Sequence, residues 1–186
     1  MLINTPINKP DQINNNSKIA LYSKVYRLLE RVTPLETDCG SLCNKACCDG
    51  GEEDLGMYLF PGEELILTQA SYFNIEPTDI PLGNGNYVLL ANCGGQCDRR
   101  FRPLSCRIFP LTPYLTYQQT LTLDLDIRAV GICPLVSGKK APPLCPDFVH
   151  SVRKAIRLLS KDPEILCFIE KLSRILDEYA QLPDLI

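Results

Sequence analysis

The strongest hydrophobic periodicity lies towards the C-terminal end. Phe148, Val152, Ala155, Ile156 and Leu159 recur at helical spacing and predict a helix over about 147–160. Ile165, Phe168, Ile169, Leu172, Ile175, Leu176 and Tyr179 predict a second over about 163–181. Pro163 stands at its first position, where a missing N–H breaks no hydrogen bond. Tyr22, Val25, Tyr26, Leu29 and Val32 predict a third over about 18–33, with Ser17 as its N-cap. Residues 1–16 are polar and end in Asn14-Asn15-Asn16, which reads as a loose N-terminal arm before a single domain over 17–186.

The middle of the chain follows other rules. Residues 117–128 alternate, with Leu121, Leu123, Leu125 and Ile127 opposing Thr122, Asp124, Asp126 and Arg128; this predicts a strand with one solvated face. Met57–Phe60 reads as a short extended piece, and Tyr87–Ala91 as a strand leading into Cys93. Pro61-Gly62-Glu63-Glu64 opens a helix to about 72, with acids in its first turn. Pro77, Pro81, Gly83 and Gly85 predict a loop over 74–86. Proline and glycine make 93–114 and 131–146 irregular as well. The expected fold is α+β: a mainly helical single domain with a small antiparallel sheet and a loop-rich centre.

A length of 186 residues suits one compact domain. The net charge of −3 argues against a general nucleic-acid or membrane-surface binder. No run approaches the ~18 apolar residues of a membrane span. The N-terminus has no basic stretch followed by an apolar one, so no secretory signal is expected. The expected compartment is the cytoplasm, where thiols stay reduced.

That setting changes the meaning of the cysteines. The chain has 10, and four fall within residues 39–48: Cys39, Cys43, Cys47 and Cys48. On a helix the first three would share a face. Thiols at this density suit a thiophilic metal better than a core. Thr37 or Asp38 is a candidate cap for the short helix that would carry them, and Gly50-Gly51 would stop it. Cys93, Cys97, Cys106, Cys133 and Cys145 fall in or beside turns that can aim a sulfur. Cys167 lies inside the last helix, opposite its apolar stripe, and reads as a spare thiol. Nine candidate ligands follow, for zinc or an iron–sulfur cluster at one or two sites shared between residues 39–48 and the later loops. Such a site would staple loops that bury little on their own.

The one strong basic cluster lies beside Cys106: Arg99, Arg100, Arg102 and Arg107. Guanidinium groups there would offset the negative charge of a thiolate–metal site. The alternative is an anion-binding patch.

Cys47-Cys48, the segment Arg102-Pro103-Leu104-Ser105-Cys106-Arg107-Ile108-Phe109-Pro110 and Cys133-Pro134 occur in one order. In these motifs, over roughly residues 39–135, the chain resembles the YkgJ-like cysteine-cluster family, whose members are described as zinc- or iron-chelating. The Cys-x3-Cys-x3-Cys-Cys spacing is wider here than the family's short form, and Cys93 and Cys97 are closer together than its middle cysteines. The resemblance implies metal chelation. A flagellin lysine methylase contains a related domain, so it also admits catalysis, with an open site near Arg99–Arg107.

Ordinary catalytic signals are thin. His150 is the sole histidine and falls in a helix, so a histidine-based triad has one base to draw on. There is no H-E-x-x-H, no deaminase pattern and no P-loop; Gly83-Asn84-Gly85 is a turn signal. The expected protein is a metal binder whose metal is mainly structural. No membrane or general nucleic-acid partner is expected, and the sequence identifies no protein partner.

Overall fold

The computed structural model describes residues 9–48, 56–67, 73–83, 85–94, 97–137 and 141–182. Its first helix, α1, spans Lys9–Leu28. It therefore starts earlier than the polar composition suggests, and the rest of the expected arm, residues 1–8, lies outside the described residues. The apolar stripe further along anchors the helix: Tyr22 and Val25 are fully buried. The helix ends before Val32, which packs against the same core from the following turn.

A short helix α2 (Gly40–Cys43) and a 3-10 turn (Ala46–Cys48) follow. Strand β1 is Gly56–Tyr58, and helix α3 is Glu64–Leu67. Strands β2 (Phe73–Gly83) and β3 (Asn86–Cys93) form a long hairpin. Next come α4 (Leu104–Ile108), β4 (Leu111–Leu115) and β5 (Leu121–Leu125). Helices α5 (Pro134–Ser137), α6 (Pro146–Leu159) and α7 (Pro163–Tyr179) close the fold. The three-stranded sheet runs β1-β3-β2 and the second pairs β4 with β5, all antiparallel. The α+β expectation holds. Among the described residues no helix is long and apolar enough to cross a membrane.

Three expectations are corrected. Residues 73–83 are a strand, not a loop. Its two prolines are tolerated because β2 is an edge strand, and register shifts flank Pro81. Residues 104–108 and 111–115 are a helix and a strand where irregular chain was expected; the strand is held by β5 and by the Leu115 amide, which donates to Ser173 Oγ at 2.8 Å. Asp126 does not lie on a solvated face. It is buried, caps a 3-10 turn by accepting from the Arg128 amide, and pairs with the Arg128 guanidinium at 2.6 Å.

The main core joins the stripes of α1, α6 and α7 with Leu104, Ile108 and Leu111. Phe60 and Phe168 meet edge to face, with ring centroids 5.0 Å apart. Asp162 caps α7 by accepting from the amides of Glu164 and Ile165, ahead of Pro163. A separate small core holds Ala129, Cys133 and Leu135, with Leu35, Cys39 and Phe109 against it.

Candidate metal centre

The 39–48 segment is not one continuous helix. Asp38 Oδ1 accepts from the Gly40 amide and starts α2. Asn44 and Lys45 then take left-handed backbone conformations, with φ of 51° and 59°. That break ends α2 after Cys43 and sets Cys47 and Cys48 on a separate turn. The shared helical face expected for Cys39, Cys43 and Cys47 is therefore absent. Several of these cysteines nevertheless border one cavity. Cys39, Cys43, Cys47, Cys106 and Cys133 line one cavity of about 70 Å³, together with Asp38, Arg99, Arg102 and Arg107. Residues far apart in sequence thus meet at one place.

Cys48 and Cys97 adjoin this group. The Cys47 thiol donates to Cys48, which is pushed down to about 6 by that bond and by the charges of Arg102 and Lys45. The same bond holds the Cys47 thiol well up. Cys97 accepts a hydrogen bond from Arg102. Burial pushes the Cys106 thiol up, and the nearby Cys48 and Cys97 add to the shift. Cys39 is raised by burial and by Asp38, and Cys133 by burial. Seven of the nine expected ligands therefore share one neighbourhood.

The other two stand apart from the cavity lining. Cys93 ends β3 opposite Phe73. Cys145 precedes α6 and packs on the main core, and its amide donates to Pro34 O at 2.8 Å. Cys167 contacts Leu82 O at 3.5 Å, away from the cluster. His150 is exposed.

The arginines are mostly engaged by backbone. Arg99 donates to the carbonyls of Glu30 and Val32. Arg107 donates to those of Arg99, Arg100 and Arg102, and its guanidinium lies 4.3 Å from the Tyr26 ring centroid. Arg100 pairs with Asp98 at 2.6 Å. Arg102 is the exception, since its Nε is buried and has no hydrogen-bond partner. Burial lowers its pKa, while the hydrogen bond to Cys97 and the nearby Cys48 and Cys106 sulfurs raise it, with a net rise. Arg99, Arg100 and Arg107 are thus already engaged within the chain.

Glu63 is a buried structural acid that sequence reasoning missed. It was expected as a first-turn acid, yet it is fully buried. Tyr26 OH and the Leu104 amide donate to its Oε1 at 2.5 and 2.6 Å, and the Phe60 amide to its Oε2 at 3.1 Å. It thereby fixes the start of α4, the helix that carries Cys106. A polar residue directly after Pro-Gly gives no sign in sequence that it turns inward.

The donor set has the chemistry of a soft-metal site, since thiolates favour zinc, cuprous copper and iron–sulfur clusters. The cysteines border the cavity, but among the described residues no three His, Cys, Asp or Glu side chains are gathered tightly enough to hold an ion. The chain matches no family model, no curated protein and no solved structure.

Proposed function

We propose that this chain is a metal-binding protein that holds zinc or an iron–sulfur cluster through thiolates, with the metal mainly structural. One observation carries the reading: Cys39, Cys43, Cys47, Cys106 and Cys133 border one cavity despite their separation in sequence. Cys48 and Cys97 are further donors within reach. Binding would draw these sulfurs inward, and Arg102 would supply positive charge and an N–H to the resulting thiolates. The metal would contribute cross-linking to a region with a thin apolar core. The motif resemblance to the YkgJ-like family supports the same reading, and a cytoplasmic setting would keep the thiols reduced. Arg99, Arg100 and Arg107 are held by carbonyls or by Asp98, which favours a structural role over a catalytic one.

The test is metal analysis and an absorption spectrum of anaerobically purified protein. Visible charge-transfer absorption with iron marks a cluster, and a colourless protein with bound zinc marks the other case. Cys106→Ser and Cys133→Ser should each bind much less metal, whereas Cys167→Ser should bind as much as the wild type. A metal-free wild type that takes up neither zinc nor iron on reconstitution would refute the proposal.

A further inference from the structure

A second and larger cavity, about 640 Å³, opens between α1, α3, the β2–β3 hairpin and the start of α7. None of the cysteines lines it. Its volume is in the range of small-molecule sites, roughly 300–1,000 Å³. Lys18 crosses one wall and is only 5% exposed. Its ammonium donates to Pro61 O at 3.2 Å, pairs with Glu164, and lies 3.7 Å from Asp162. Gly62 makes room for it: with φ of +88°, a Cβ there would fall 2.3 Å from Lys18 Cδ. Asn86 Nδ2 donates to Glu164 at 2.9 Å and ties the hairpin to α7. Glu64 lies on the α3 wall, faced by the Gly62 amide and its own, and burial raises its carboxyl above the usual range.

These contacts select a ligand by charge. Two carboxylates, Glu64 and Glu164, line the cleft against one ammonium, which Glu164, Pro61 O and, from outside the lining, Asp162 already engage. An anion would find no uncommitted cation among these groups. A bare metal ion would find no group of three ligands among the described residues. The walls are also partly apolar, with Leu65, Pro77, Leu89 and the half-exposed Tyr87 ring. Methylenes fit those walls and ammonium groups fit the carboxylates and the aromatic face. We propose that this cleft binds a polyvalent aliphatic amine of the polyamine class, with Glu64 and Tyr87 as its recognition residues.

Calorimetric titration of the full chain with spermidine tests this, with sodium and magnesium chloride at matched ionic strength as controls. Spermidine should bind where the salts do not. Glu64→Gln should weaken it about tenfold or more, as loss of a charge-assisted contact does. Tyr87→Ala should weaken it about threefold, the scale of an exposed cation–π contact. If Glu64→Gln does not fold, judged by circular dichroism, the exposed Tyr87 variant decides. Nα-acetyl-lysine amide stands in for a lysine side chain and should bind more weakly than spermidine. No binding, equal binding by salt, stronger binding of the lysine analogue, or an unaltered affinity in the decisive variant would overturn the proposal.

Discussion

The helical side and the cysteine side of this molecule are held together by different means. The helical side packs three apolar stripes around Phe148, Phe168 and their neighbours, and its largest side chains are fully buried. The cysteine side has a core of Ala129, Cys133 and Leu135, with much of its remaining order supplied by arginine-to-carbonyl bonds and short turns. Apolar burial stabilises by roughly 25 cal/mol per Å², so the second region gains far less from packing. A region of that kind is where a metal cross-link would add most.

The difference can be broken most sharply by removing metal. Structural zinc in small peptide domains contributes on the order of 10 kcal/mol to folding. Chelation of the protein, or Cys106→Ser, should open residues 97–110 and 131–137 to protease while α6 and α7 stay protected. Mass-spectrometric mapping of the first cuts reads this directly. Equal protection of both regions with and without metal would mean that the cysteine side stands on its packing alone.

Phe168→Ala tests the other side. Truncating a buried phenylalanine costs about 3–5 kcal/mol, and this one is 2% exposed and packs edge to face with Phe60. Denaturant unfolding should show that loss with little change in metal content of the folded fraction. A loss below about 1 kcal/mol would mean that the core relaxes around the gap.

The two sides were unequally legible in sequence. The apolar stripes of α6 and α7 are written in local periodicity, and so are their bounds. Strand β2 was hidden because Pro77 and Pro81 speak against a strand, and only its edge position makes them acceptable. Most candidate ligands were recognisable from residue type and placement in turns. Their grouping was not, because it depends on the left-handed break at Asn44–Lys45 and on contacts across the chain. Burial of Glu63 was equally hidden, since its three donors come from Tyr26, Phe60 and Leu104.

Glu63 is also the joint between the two sides, and pH sharpens the comparison there. It binds Tyr26 of α1 and the first amide of α4, while the Tyr26 ring carries Arg107. Burial outweighs these hydrogen bonds and the Arg107 charge, so its carboxyl is pushed up from 4.5 to about 7. The folded state then holds a proton that the unfolded state releases. Its contribution to stability is fully present below about pH 4.5 and is lost as pH rises through about 7. A shift of this size corresponds to about 3 kcal/mol at most. Denaturant unfolding at pH 5 and pH 8 should therefore show a component that favours the lower pH, opposite in sign to that of a salt-bridged carboxylate. Glu63→Gln cannot titrate and should flatten that component. It should also loosen the start of α4, because an amide in place of the carboxylate cannot accept from Phe60 and Leu104 equally well. If the variant keeps the wild-type pH slope, the titration belongs to another group and Glu63 joins the two sides by geometry alone.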